Sequence, residues 1–374
     1  MIIQEAEIFF VSIPVTPVEE GGIAPYRGHD LPPGEGIRNA ASCLVKVTTR
    51  EGITGWGETN AVINPVVQAA LFQHYIRPLV LGMDCLQANA RQYRAAKSIE
   101  PPVGVRGILS GIDMACWDAA GKALGLPVYT LLGGKIRDRV DVAYCLGLED
   151  LTVTAERVQE ILDAGYHTIK TTGGNDVAFD LRRAELMRQI GADRLNIRVD
   201  MNEAYDFIAA AHFLSQAEPL ALEYVEQPLR VNQFNALAEL HKRFKTPIAV
   251  NEDCYVPHNL FNYVQANAID AAVVDMDPLG GITELVRIAD LGEEAGLPLI
   301  HHCGFDLGIK TAAILQVYAA KPAFSRPMDS TYMTHQDDIL PEKLSIRDGA
   351  FTIPDGPGLG IVVDEDKVRR FSIQ

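Results

Sequence analysis

At 374 residues the chain is too long for one ordinary domain, but it can hold a (β/α)8 barrel with a smaller domain beside it. Hydrophobic residues make up 48% and charged residues 22%, the balance of a soluble globular protein with a large core. The formal net charge of −16 argues against nucleic acid or an anionic membrane as partner, although a bound cation can still admit an anionic small substrate. No apolar run approaches the roughly 18 residues needed to span a bilayer. The opening MIIQEAEIFFVSIPV alternates like a strand instead of showing the form of a signal peptide, so a cytoplasmic protein is expected. Cys43, Cys85, Cys116, Cys145, Cys254 and Cys303 are scattered without a CxxC pair. That fits buried thiols in a reducing compartment and not a disulfide framework or a zinc site.

In chain order, the first 130 or so residues predict an α+β unit. Strands are expected at 2–11, 42–49 and 53–58, and helical periodicity runs from 65 to 124. Residues 17–36, rich in Gly, Pro and charge, read as a surface loop. Tyr26, Arg27 and His29 make it a candidate lid that reads the far end of a substrate. From residue 139 the rhythm becomes short apolar strand, polar turn, amphipathic helix, repeated. Strands are expected at 140–146, 167–171, 196–200, 222–226, 247–251, 271–275, 298–302 and 325–330. Stripes such as Ile282, Leu285, Ile288 and Leu291 mark the helices between them. Eight units of this spacing predict a closed parallel barrel. The tail from 343, with Gly349, Pro354, Gly356, Pro357, Gly358 and Gly360, is turn-rich and is expected to rejoin the amino-terminal domain.

In a barrel of this kind the carboxyl ends of the strands form the active site. Here the third strand ends at Asp200, the fourth at Glu226 and the fifth at Asn251-Glu252-Asp253. Two bare carboxylates about 4 Å apart repel by roughly 4 kcal/mol at an effective dielectric near 20. A hard divalent cation with oxygen ligands removes that cost, and Mg²⁺ suits a few carboxylates plus substrate oxygens. Strand two delivers Lys170 to the same rim, strand six Asp275, and strand seven His301-His302. A carboxylate beside an imidazole orients the ring and raises its basicity, which makes a general base near neutral pH.

This constellation resembles the enolase superfamily, and within it the mandelate racemase/muconate lactonizing enzyme family, on the side of the mandelate racemase-like acid-sugar dehydratases. The resemblance rests on GWGE at 55–58, IDMACWDAAGKALGLPVYTLLGG at 112–134, the VDMN and VEQP motifs, and IPDGPGLGI near the end. It implies an α/β fold: a modified (β/α)8 TIM barrel at 131–342, capped by an α+β domain made from residues 1–130 and the segment 343–374. It also implies one Mg²⁺, with Asp200 and Glu226 as ligands and either Asn251 or Glu252 as the third, the 26-residue step from Glu226 favouring Glu252. Asp275 and His302 then match a dyad, and the relatives' habit of symmetric assembly implies a homo-oligomer. One departure stands out. Where the family often has Lys-x-Lys, this chain has Lys170-Thr171-Thr172.

His302 is therefore the one evident base. Imidazole, with a pKa of about 6.5, abstracts a proton α to a carboxylate only if the developing enediolate is stabilised, here by the metal and by Lys170. A single base suits β-elimination of water from a sugar acid or hydroxy acid to a 2-keto acid. Thr172, Asn202, Asp329, Tyr26 and His29 are candidate substrate contacts. The alternatives are a racemase, epimerase or cycloisomerase with a second base such as Lys170 or His301, a Schiff-base aldolase using Lys170, and a non-catalytic binding protein.

Overall fold

The computed structural model describes residues 1–17, 37–60, 64–92, 103–174 and 176–373. Apolar residues alternating along the amino-terminal segment form β1 (Ile3–Pro14), which pairs antiparallel with β2 (Asn39–Thr49), and β2 pairs antiparallel with β3 (Thr54–Asn60). Helix α1 (Pro65–Leu71) starts at Asn64, whose side chain accepts the Val66 N–H, and the long α2 (Val103–Leu124) lies across the sheet. The GWGE glycines explain how closely α2 lies. A Cβ on Gly55 would sit 1.9 Å from the Ala115 carbonyl oxygen, and one on Gly57 would sit 1.9 Å from that of Gly111. Ile3, Val45, Val47, Phe72, Ile76, Ile108 and Ile112 fill the core between sheet and helices.

All eight expected barrel strands are present. They are β4 (Arg139–Leu146), β5 (Thr168–Thr172), β6 (Asn196–Asp200), β7 (Tyr224–Glu226), β8 (Ile248–Val250), β9 (Ala271–Val274), β10 (Leu299–His301) and β11 (Met328–Ser330). From β4 to β10 each strand pairs in parallel with the next. β11 lies beside β10 and pairs in parallel with β4, which brings the eighth strand back to the first. The helices α3 (Leu151–Asp163), α4 (Val177–Gly191), α5 (Phe207–Ala217), α6 (Phe234–Arg243), α7 (Pro257–Ala266), α8 (Ile282–Glu294) and α9 (Gly308–Ala320) alternate with the strands. Five strands, β7 to β11, are shorter than expected. β8 stops before Asn251, which enters a 3-10 turn at Glu252–Tyr255, and β11 starts only after Pro327, whose nitrogen cannot donate to a ladder.

One core lies between strands and helices, with Ile169, Ile197, Val199, Val225 and Ile248 among its members. A second, inside the barrel, is made of Tyr224, Ala249, Ala271, Val273 and Ile300. Side chains alternate across a strand, so the inner face carrying Tyr224, Val273 and Ile300 continues to Glu226, Asp275 and His302 at the rim. The tail adds the hairpin β12 (Ile346–Arg347) and β13 (Ala350–Thr352), antiparallel to the start of β4. Its last helix, α10 (Glu365–Phe371), lies along β1, with Ile373 N–H donating to the Phe10 carbonyl. Among the described residues no helix is long and apolar enough to cross a membrane.

Candidate active site at the barrel rim

The strand register sets Thr172 opposite Asp200 and Asp200 opposite Glu226. Glu252 follows one strand further round, in the turn after β8. Lys170 reaches up among these acids: its Nζ lies 2.7 Å from Glu226 Oε1, 3.0 Å from Asp200 Oδ2 and 3.2 Å from Asp329 Oδ2. Burial works against the Lys170 ammonium, but the three carboxylates override it and raise its pKa well above that of a free lysine. It is a fixed cation at neutral pH. Burial and the charge of Asp200 together push Glu226 well up and Glu252 to about 7. One ammonium does not neutralise this many acids.

Glu226 Oε2 and Glu252 Oε2 are buried and accept no hydrogen bond. Among the described residues no three His, Cys, Asp or Glu side chains already converge as metal ligands, because Lys170 stands between Asp200 and Glu226. The donor set still fits a hard divalent cation: three carboxylates on neighbouring strands, with two buried oxygens unpaired. Asn251 donates its Nδ2 to the Val273 carbonyl at 3.0 Å and its backbone N–H to Gln227 Oε1 at 2.9 Å. Asn202, at φ +43°, donates its N–H to Asp200 Oδ1 at 3.0 Å, and its side chain acts to lower the Glu252 pKa against the burial that raises it.

On the far side of the rim Asp275 caps the short helix Met276–Leu279, accepting the Asp277 N–H at 3.1 Å. The expected Asp275–His302 contact takes a different form. Among the described residues Asp275 hydrogen-bonds Lys310 Nζ, at 3.1 Å, and not His302, because the ammonium carried by α9 competes better for the carboxylate than a neutral ring does. Burial pushes Asp275 up, but Lys310, His301 and His302 outweigh it and leave its pKa lowered. Its effect on His302 is through charge.

The two histidines differ. His301 is fully buried, and its Nε2 accepts the Met276 N–H at 3.1 Å. Burial lowers its pKa to about 3. That nitrogen has no lone pair left for a substrate proton. His302 donates its backbone N–H to the Val274 carbonyl, and its Nδ1 is buried without a partner. The ring is half-buried, which leaves Nε2 as the nitrogen facing the open rim. Burial and Lys170 lower its pKa below 6.5 against the pull of Asp275, Asp329 and Asp200.

Asp329 is the middle residue of β11, it is buried, and both its oxygens are engaged. Oδ2 takes Lys170, and Oδ1 takes Arg198 Nη1 at 2.8 Å. It anchors Lys170 and has no oxygen free for a substrate. Arg198, fully buried on β6 two residues before Asp200, also pairs with Glu223 at 2.8 Å. Arg198 and Lys310 were not read from the sequence, although each is a lone cation in an apolar run. Thr172 is buried at the strand end beside Asp200, while Tyr26 and His29 lie outside the described residues.

Residues 153–367 match the family model described as enolase C-terminal domain-like, and residues 35–133 match the mandelate racemase/muconate lactonizing enzyme N-terminal domain. The chain belongs to the enolase superfamily. Within its mandelate racemase/muconate lactonizing enzyme family, it is 30% identical to D-galactarolactone cycloisomerase of Agrobacterium fabrum, over 88% of this chain and 91% of that protein. It is 29% identical to a chloromuconate cycloisomerase of Cupriavidus pinatubonensis (90% and 92% covered) and 28% to arabinonate dehydratase of Saccharolobus solfataricus (85% and 87%). The structure of muconate lactonizing enzyme from Pseudomonas fluorescens with muconolactone superposes with a TM-score of 0.89 at 26% identity, covering 99% of each chain. The family makes this protein an enzyme. Its relatives include both isomerases and a lyase, so the choice of reaction falls to the site.

Proposed function

We propose that the enzyme removes the proton α to a substrate carboxylate and expels a β-hydroxyl as water, turning a sugar acid or another hydroxy acid into a 2-keto acid. One observation carries this reading. Among the described residues at the rim His302 is the neutral imidazole that is not fully buried, facing a charged Lys170, with Thr172 where a second amine would stand.

Asp200, Glu226 and Glu252 would hold Mg²⁺, which when bound supplies positive charge that draws in the substrate carboxylate and stabilises the charge developing there. Lys170 adds a second fixed positive charge to the same oxygens, and Asp329 and Arg198 hold it in place. His302 Nε2 takes the α-proton. The resulting imidazolium then returns a proton to the β-hydroxyl as its C–O bond breaks, so water leaves and the enol product tautomerises to the 2-keto acid. The Thr172 hydroxyl can hydrogen-bond the substrate but cannot accept a proton at neutral pH.

The second reading is an isomerase, favoured by the cycloisomerase relatives. It needs another proton carrier, and neither candidate is free: Lys170 is held protonated and His301 Nε2 is occupied. The same protonation speaks against Lys170 as a Schiff-base nucleophile. The test is a screen of the purified protein with Mg²⁺ against sugar acids and hydroxy acids, with 2-keto acid trapped by semicarbazide. A product that disappears both with EDTA and in His302→Asn supports dehydration. Exchange of the α-hydrogen for deuterium without loss of water would move the protein to the isomerases.

A further inference from the structure

Behind Asp275 lies a buried ionic cluster that the reaction above does not use. Lys310 is a lone lysine near the start of α9 and has 0% solvent exposure. Its Nζ lies 3.1 Å from Asp275 Oδ1, 3.0 Å from Asp277 Oδ2 and 2.8 Å from Asp306 Oδ1. The capping sheet grips this cluster at two points. Glu58 of GWGE accepts the Leu307 N–H at 2.7 Å and the Lys310 N–H at 2.8 Å, which satisfies donors at the buried start of α9, and Ser42 donates to Glu58 at 2.8 Å. Asp277 Oδ2 also accepts the Asn60 N–H at 2.9 Å.

A second base is the obvious role for an ammonium here, and the geometry rejects it. Lys310 has no path to a substrate, and three carboxylates keep it protonated despite its burial. What it does hold is the acid whose charge faces the base. We propose that Lys310 is a positioning residue: it fixes the Asp275 carboxylate opposite His302, and Glu58 fixes the helix end that presents Lys310. This rests on His302 as the base. The charged groups acting on His302 are Lys170 from β5, Asp200 from β6, Asp275 after β9 and Asp329 from β11, and its titratable neighbour is the neutral His301. Lys310 competes with the imidazole for Asp275. Without that competition Asp275 pairs with His302 and favours the imidazolium.

The test is an NMR titration of histidine-labelled protein in Mg²⁺ buffer, with the His302 signal assigned through His302→Asn. In Lys310→Met the His302 midpoint rises by about one pH unit, a tenfold gain in proton affinity. The acid limb of kcat moves in the same direction, while KM with an active acid changes less than kcat. Unpaired acids can unfold this variant, so the triple variant Asp277→Asn, Asp306→Asn, Lys310→Met keeps Asp275 as the single acid of the cluster and is expected to shift the midpoint in the same way. An unchanged midpoint in a folded variant, with His302→Asn inactive, overturns the role of Lys310 and leaves the base in place. Full activity in His302→Asn overturns the base itself.

Discussion

Replacing Lys170 by methionine would leave Asp200, Glu226 and Asp329 facing one another without their shared ammonium. Removing one partner from a buried charge cluster costs about 3–5 kcal/mol, because the remaining charges stay desolvated. Lys170→Met is therefore expected to melt well below the wild type. Added Mg²⁺ should raise its Tm more than it raises that of the wild type, as thermal denaturation with and without the metal would show. An equal effect on both proteins would place the cation elsewhere. The pH profile tests His302. Burial and Lys170 hold its pKa below 6.5, and only the neutral ring can take a proton. As pH falls, kcat/KM is expected to decline along an acid limb centred below 6.5. An acid limb centred above 6.5 would mean that the imidazolium is favoured in the site, contrary to this electrostatic balance.

At the scale of elements, the β3–α2 contact is the most demanding joint in the capping sheet. Gly57→Ala would press a methyl group against the Gly111 carbonyl, and the backbone shift should cost about 1–3 kcal/mol, measurable as a lower denaturant midpoint. The eight barrel strands were legible because each is a short apolar run between turn signals, and the rim residues were legible because each ends a strand. Asp200, Glu226 and His302 were found that way. The partners were not. Lys310 lies 35 residues from Asp275, and Arg198 lies 131 from Asp329, and strand-end logic says nothing about an ammonium arriving from a helix or a guanidinium one layer down. Asp329 fell inside the strand expected at 325–330, but its pairing with Lys170 and Arg198 was not legible. In each case a lone charge in an apolar segment was the available signal, and its partner was set by tertiary packing.

For the whole molecule, histidines buried in the neutral state work against stability in acid. His301 and His335 are both pushed down to about 3 by burial, and neither ring nitrogen of His335 has a partner. The unfolded chain protonates these rings near pH 6.5 while the folded chain does not, so between about 6.5 and 3 the unfolded state binds more protons. The contribution of these two rings to stability is therefore full above 6.5 and lost as pH falls through that window. His335→Phe, which keeps a ring against Tyr332, should flatten the decline in Tm between pH 6 and pH 4, and an unchanged slope would exclude His335 as a contributor. At the barrel rim one partly exposed imidazole and one ammonium stand beside a set of acids suited to a divalent cation. Proton NMR in D2O with Mg²⁺ on any acid turned over in the screen, comparing wild type with His302→Asn, tests the role of that imidazole. The wild type is expected to lose the α-proton together with the β-hydroxyl, and His302→Asn to do neither. Exchange of the α-proton in His302→Asn at the wild-type rate would contradict that role.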